Sequence, residues 1–168
     1  ARALGAIVCD ADLDSVRLVE AQHHGCIPVN LFEGIKRCNI VVTSTGRDGV
    51  IGEKLLRSAK PNTIFLNAGH SDREIDVDWL YRQPHQTLRP SIEEFHLDET
   101  SILLLAKGSL LNLAARSGGG PIDLFDLYTA VMLRGITWVF EGGTQNAHPG
   151  VQLYPRELEQ EIAHMSIE

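Results

Sequence analysis

Short apolar runs alternate with helix-forming segments along this chain, and this alternation constrains the fold more than any other feature. Three runs have the composition and length of buried strands, at residues 6–10, 39–45 and 63–67. Capping residues and apolar side chains spaced three or four apart predict helices at 15–24 and 49–58. The sequence therefore predicts an α/β fold with a doubly wound, mostly parallel sheet in a three-layer α/β/α arrangement.

The second half of the chain predicts a late β-hairpin followed by two helices. Residues 87–97 and 101–107 read as the two strands of the hairpin, and Pro90 suits an edge strand. A helix is predicted over 121–140, with an apolar stripe wide enough to be mostly buried, and a last helix begins at Pro155. A chain of 168 residues fits one domain with its own core, so we expect a single domain over 1–168.

Charge and cysteine content argue against several classes of function. The 15 Lys and Arg residues against 22 Asp and Glu give a net charge of −7, which repels phosphate backbones, so nucleic acid is not an expected partner. No apolar run of eighteen residues is present, so we expect no association with a membrane. The three cysteines and the lack of a signal peptide fit a reducing, cytoplasmic environment. The spacing of the histidines and cysteines predicts no metal site.

Polar residues follow the predicted strands at their carboxyl ends, which is where doubly wound sheets bind ligands. After the first strand, the Asp12 carboxylate can accept two ribose hydroxyls of a dinucleotide, or it only favours a helix N-terminus, as Asp14 does. After the second strand comes a turn of small residues that lets a flat ligand approach the backbone, or that is simply a loop leading into a helix. This turn consists of Thr43, Ser44, Thr45 and Gly46.

Two further polar segments follow later strands. His70, in the segment 67–72 after the third strand, can orient a polar substrate with Asp72 holding its tautomer, or it is an ordinary loop histidine. Asn112 lies in an apolar setting after the hairpin. Its side chain can hydrogen-bond both ends of a primary carboxamide such as nicotinamide, or it caps a helix.

In this order and at this spacing, the chain resembles the cofactor domain of the S-adenosylhomocysteine hydrolase (adenosylhomocysteinase) family over nearly its full length. The resemblance implies a Rossmann domain that holds NAD tightly. It also implies an enzyme that hydrolyses S-adenosylhomocysteine to adenosine and homocysteine through transient oxidation of the 3′-hydroxyl. The matching segments are residues 3–6 with 12–14, 39–46 (NIVVTSTG), 67–70 with 74–80, 103–113 (LLLAKGSLLNL) and 149–164.

The resemblance also implies roles for single residues. Asp12 would bind the adenosine ribose, a position filled by Glu in most of the family. Asn112 would bind the nicotinamide carboxamide, and His70 would act in catalysis beside the substrate ribose. The other cofactor-binding residues would be Thr43, Ser44, Thr45, Gly46, Ala68 and Gly69. The expected partners are a small thioether nucleoside and further copies of the parent protein in a homo-oligomer.

The sequence departs from the family pattern at several positions. Gly119 stands where the family has a substrate-contacting His, and Ser71 stands where it usually has Phe. Residues 1–5 read as the last turn of a helix. Set against the family pattern, this implies that the first strand and the glycine-rich phosphate loop are lacking, and the resemblance implies that the substrate domain is lacking too. Two alternatives stay open: an NAD-binding regulatory paralogue that has lost hydrolysis, and a Rossmann dehydrogenase with another substrate.

Overall fold

The computed structural model describes residues 1–111, 122–145 and 147–166. The chain divides into two compact units, Ala1–Gly118 and Gly119–Glu168. A single domain over 1–168 stays a prediction. Asn112 and the stretch 118–121, which includes Gly119, lie outside the described residues.

The first unit alternates strands and helices as the sequence predicts. Its strands are β1 (Cys9–Asp10), β2 (Ile27–Pro28), β3 (Ile40–Thr43), β4 (Thr63–Asn67), β5 (His85–Arg89), β6 (Ile92–Leu97) and β7 (Thr100–Leu105). Its helices are α1 (Ser15–His23), α2 (Leu31–Arg37), α3 (Glu53–Ser58) and α4 (Val77–Leu80), with short 3-10 turns at Arg2–Leu4 and Ala106–Gly108.

Side-chain caps fix where the helices begin. The Asp14 carboxylate accepts a hydrogen bond from the Val16 backbone N–H at 2.8 Å and so caps α1. Asn30 caps α2 in the same way. Asp76 accepts from the Trp79 N–H at 3.0 Å and caps α4. The predicted cap at Asp14 is therefore confirmed.

The strands form two sheets. Strands β1 and β2 pair in parallel, and the other five follow the order β3-β4-β7-β6-β5. Strands β3, β4 and β7 are parallel, whereas β6 and β5 are antiparallel additions. The predicted α/β class, with a mostly parallel sheet and a late hairpin, is confirmed. The parallel strands β1-β2 and β3-β4-β7 follow the order of positions 2-3 and 4-5-6 in the doubly wound order 3-2-1-4-5-6.

The core of the first unit lies on one face of β4. Phe65 and its register partner Leu104 on β7 are both completely buried. Because side chains alternate along a strand, Thr63 and Asn67 lie on the same buried face as Phe65. The sequence of β4 therefore carries a polar amide into the core at the strand's carboxyl end.

Several predicted elements of the first unit differ in extent from the observed ones. The strands predicted over 6–10, 39–45 and 101–107 are Cys9–Asp10, Ile40–Thr43 and Thr100–Leu105. The helix predicted over 49–58 begins only at Glu53, because Ile51 forms a parallel bridge with Ile75 instead of a helical turn. The strand predicted over 87–97 is two strands, β5 and β6, joined by a tight turn in which Ser91 has a φ of 65°. Pro90 belongs to that turn rather than to an edge strand.

In its described residues, the second unit contains α5 (Ile122–Phe140) and α6 (Arg156–Met165). Arg134 on α5 pairs with Glu161 on α6 at 3.1 Å, and Leu158 and Ile162 of α6 are buried. The prediction that α5 is mostly buried is wrong, because Leu133, Phe140 and several other apolar residues on it are exposed. Among the described residues, no helix combines the length and apolar character needed to cross a membrane.

Candidate functional site

The carboxyl ends of β3 and β4 bring two of the predicted polar segments together. Thr43, the last residue of β3, is the register partner of Asn67, the last residue of β4. The Thr43 hydroxyl donates a hydrogen bond to Asn67 Oδ1 at 3.3 Å, and both side chains are buried. The turn after β3 and the loop after β4 therefore lie side by side at one edge of the sheet.

Asn67 connects the ends of three strands. Its Oδ1 atom also accepts from the Gly69 N–H at 2.6 Å. Its Nδ2 atom donates to the Ser71 carbonyl at 2.6 Å and to the Gly108 carbonyl, after β7, at 3.1 Å. Both hydrogens and the oxygen of this amide are satisfied within the protein, so Asn67 fixes the loop rather than awaiting a ligand.

Glu74 fixes the turn after β3. Its side chain is completely buried. Oε2 accepts hydrogen bonds from the Thr45 N–H and the Thr45 hydroxyl, both at 2.8 Å, and Oε1 accepts from the Gly46 N–H at 2.9 Å. Burial raises the pKa of Glu74, but the hydrogen bonds from Thr45 and Gly46 outweigh it and leave the pKa below its ordinary value. Glu74 is therefore an ionised clamp on this turn.

Gly69 lies against this clamp. A Cβ atom at position 69 would overlap Glu74 Oε1 and lie 3.0 Å from Glu74 Cδ and 3.1 Å from Ser44 Cα. Gly69 is not among the residues with positive φ, so space rather than backbone conformation requires glycine here. The cofactor role predicted for Gly69 stays a prediction, and the structure adds an internal reason for the residue.

Further contacts join the two loops around Glu74. Ile51 and Ile75 form a parallel bridge, and the Ile51 N–H donates to the Glu74 carbonyl at 2.9 Å. Arg73 pairs with Asp48 at 3.1 Å. The Ser71 hydroxyl also donates to Asp48, at 2.5 Å. Ser71 thus ties its loop to the loop after β3.

The predicted site residues divide into inward-facing and outward-facing groups. Thr43 and Gly69 are buried, whereas Ser44, Ala68 and His70 are exposed beside them. Two further predicted residues, Thr45 and Gly46, are exposed but direct their backbone N–H groups to Glu74. In the described part of the chain, His70 forms no hydrogen bond with Asp72, so the geometry does not support Asp72 as the group that holds its tautomer.

Asp12 lies at the end of the other sheet, two residues beyond β1. Its carboxylate is exposed, and Oδ1 accepts the Asp14 N–H at 2.8 Å. Asp14 is the helix cap, so Asp12 is the acid whose remaining oxygen can accept hydroxyl groups of a ligand. This division between the two acids is the one that the sequence predicts. Its role in binding stays a prediction.

Sequence reasoning missed the functions of Asn67 and Glu74, although both lie within segments it singled out. The sequence carries one signal for Asn67. Because side chains alternate between the two faces of a strand, Asn67 lies on the same face as Phe65, which is the core face. No local signal identifies Glu74, because its partners lie 28 and 29 residues earlier in the chain.

The open surface beside Gly46 has room for a flat ring, such as one of the rings of a dinucleotide. Apart from Gly46 itself and its two chain neighbours, no atom of the described residues lies within 4 Å of the position that a Cβ of Gly46 would occupy, so a flat ring can approach the backbone there. The neighbouring exposed residues Ser44 and Ala68 are small, and His70 offers a ring nitrogen beside them. This open face lies outside the carboxyl ends of parallel strands, where doubly wound sheets take their ligands.

Comparison with known proteins points the same way. The family model of the S-adenosyl-L-homocysteine hydrolase NAD binding domain matches residues 1–118, the bounds of the first compact unit. The chain is similar to adenosylhomocysteinase of Archaeoglobus fulgidus, with 31% identity over 100% of this chain and 42% of that protein. Adenosylhomocysteinase of Thermotoga maritima is 30% identical over 100% of this chain and 42% of its own length. S-inosyl-L-homocysteine hydrolase of Methanothermobacter thermautotrophicus is 29% identical over 100% of this chain and 40% of its own length. The chain thus spans about two fifths of the length of these relatives.

Proposed function

Because this chain belongs to the family of the S-adenosyl-L-homocysteine hydrolase NAD-binding domain, we propose that it holds NAD for an enzyme that hydrolyses S-adenosylhomocysteine or a related thioether nucleoside. The observation that carries the proposal is the pairing of Thr43 with Asn67, which sets the turn 43–46 and the loop 67–70 together at the carboxyl ends of parallel strands. One of the similar proteins is named for an inosyl rather than an adenosyl substrate. The proposal therefore extends to the class of thioether nucleosides.

NAD, when bound, supplies reversible oxidation of the substrate 3′-hydroxyl. We assign the adenosine ribose to the exposed carboxylate of Asp12, which can accept two hydroxyls and repels a 2′-phosphate. Asn112 is proposed to bind the nicotinamide carboxamide through its planar donor and acceptor pair. The turn 43–46, with Ala68 and Gly69, is proposed to line the nicotinamide half.

His70 is the proposed catalytic residue of this chain. Its ring is exposed at the same edge of the sheet as Ser44 and Ala68. An imidazole there can hold a proton at a ribose oxygen and stabilise charge that develops on it.

The three cysteines are free thiols, which supports a reducing, cytoplasmic location. We also propose that the parent protein is a homo-oligomer.

The test is NAD binding by the full-length protein, measured by calorimetry. Asp12→Ala is expected to weaken NAD by about 1–3 kcal/mol, because a hydrogen bond to a charged group is lost. It should also narrow the preference for NAD over NADP. Glu20→Ala, which removes an exposed acid from α1, is the matched control and should bind NAD normally. Unchanged NAD affinity in Asp12→Ala refutes that assignment, and a wild-type protein that binds no NAD refutes the function.

A regulatory paralogue that keeps NAD but has lost hydrolysis is the second candidate, favoured by Gly119 in place of the family's His. Turnover of S-adenosylhomocysteine by the full-length protein separates the two. Release of adenosine supports the hydrolase, and NAD binding without release supports the paralogue.

A further inference from the structure

The carboxylate of Glu74 holds the turn after β3 from its buried side. Thr45 and Gly46 are exposed residues, yet both of their backbone N–H groups point inward to Glu74. The Thr45 hydroxyl adds a third hydrogen bond to the same carboxylate. The turn is open to solvent beside Gly46. Glu74 therefore fixes the backbone of this turn from the inner side, opposite the open face.

A glutamine cannot replace the carboxylate of Glu74 without losing a hydrogen bond. Each oxygen of Glu74 accepts one backbone N–H, from Thr45 at Oε2 and from Gly46 at Oε1. A glutamine has nearly the same shape, but either orientation of its amide places an NH₂ group against a backbone N–H. One of the two backbone donors then loses its acceptor, which costs free energy that water returns only in part, because Thr45 and Gly46 are exposed.

We propose that Glu74 is a positioning residue of the cofactor site, whose carboxylate sets the turn of Thr45 and Gly46 against the nicotinamide half of NAD. This inference rests on the proposed function. It assigns Glu74 to the nicotinamide half because a dinucleotide lies across the two halves of a doubly wound sheet, and β3, β4 and β7 form one of them. Asp12, after β1, belongs to the other half.

This placement gives Glu74 a signature that a merely structural residue lacks. Displacing the turn weakens contacts to the nicotinamide half and leaves contacts to the adenosine half in place. NAD affinity should therefore fall while affinity for AMP, which contains only the adenosine half, stays the same. General loosening of the fold would weaken both ligands together.

The experiment compares Glu74→Gln with wild type in the full-length protein freed of bound NAD. Hydrogen exchange of the peptide over 41–50 reports the two clamped amides without any ligand, and calorimetry with NAD and with AMP reports binding. Glu93→Gln is the matched control, because Glu93 is also a buried carboxylate but accepts its hydrogen bond from the Tyr81 hydroxyl.

In Glu74→Gln we expect faster exchange at 41–50 and NAD binding weakened by about tenfold or more, with AMP unchanged. Glu93→Gln should leave all three readings at wild-type values. Unchanged exchange in Glu74→Gln refutes the clamp. Faster exchange with unchanged NAD affinity, or equal weakening of NAD and AMP, refutes the positioning role. If Glu74→Gln does not fold, Glu74→Asp carries the same test, since its shorter side chain keeps the charge and withdraws it from the turn. If the wild-type protein does not bind NAD, whether or not it binds AMP, the proposed function itself is refuted.

Discussion

A methyl group added at Gly69 tests the internal architecture of the site. The Cβ of Gly69→Ala would overlap Glu74 Oε1, lie 3.0 Å from Glu74 Cδ and lie 3.1 Å from Ser44 Cα. The carboxylate must move, because the backbone at Ser44 cannot yield as easily as a side chain. Moving it breaks the three hydrogen bonds that Glu74 accepts from Thr45 and Gly46.

The cost follows from those three bonds. A hydrogen bond to a charged group contributes about 1.5–3 kcal/mol, but Thr45 is exposed, so water replaces part of the loss. We therefore expect Gly69→Ala to destabilise β4 by about 3 kcal/mol, or about a hundredfold in its opening equilibrium. The measurement is hydrogen exchange of peptides over 63–67 along a urea series in the full-length protein.

A double-mutant cycle separates the clash from other effects. In Glu74→Ala the obstacle is gone, so adding Gly69→Ala should cost only about 1 kcal/mol more, the remainder coming from the approach to Ser44. Gly52→Ala is the control, because its φ is −93° and no described atom beyond its own residue and its chain neighbours lies within 4 Å of its Cβ position. It should cost about 1 kcal/mol or less. Costs for Gly69→Ala and Glu74→Ala that simply add would refute the reasoning.

Three further predictions concern the cofactor and the fold. Asn112→Ala should slow hydride transfer to NAD by about a hundredfold, because the nicotinamide ring loses its alignment, whereas His70→Ala should keep NAD but slow turnover. Bound NAD and single-turnover reduction of NAD are measured for both variants, and wild-type values would contradict the two roles. Because the pKa of Glu74 is lowered, its stabilisation is complete above the ordinary value of 4.5 and is lost as pH falls through the folded value. The stability difference between wild type and Glu74→Gln, measured by urea unfolding against pH, should thus narrow only below about 4.5; a constant difference would contradict it. A polypeptide of residues 1–168 should aggregate, because Ile40 and Val42 on β3 are both 54% exposed; a monodisperse sample in light scattering would contradict this.

The parts of the fold that local physics determines could be predicted from the sequence. Strand β4 was predicted at its observed bounds, because four apolar or β-branched residues and Asn67 are followed by the small residues Ala68 and Gly69. The cap of α1 followed from an acid at the correct spacing. The position of the site followed from the rule that ligands bind beyond strand ends.

The rest depended on contacts between residues distant in sequence. Ile51 lies four residues before Leu55, which imitates a helix, but its bridge to Ile75 24 residues later decides its conformation. Glu74 shows the same limit more strongly, because an acid before a helix is ordinarily solvated. Only the folded arrangement of the turn after β3 turns it into a buried clamp.

The two halves of the proposed cofactor site are prepared to different degrees. At the β3 and β4 ends, Asn67 and Glu74 already satisfy the buried polar groups, so the turn and loop are ordered without a ligand. At the β1 end, two-residue strands carry an exposed Asp12 with one oxygen uncommitted. A preorganised surface gives up little entropy when a ligand arrives, and it tolerates little displacement. The nicotinamide half should therefore determine the alignment of the reacting ring, while the adenosine half supplies affinity that Asp12 can tune without disturbing that alignment.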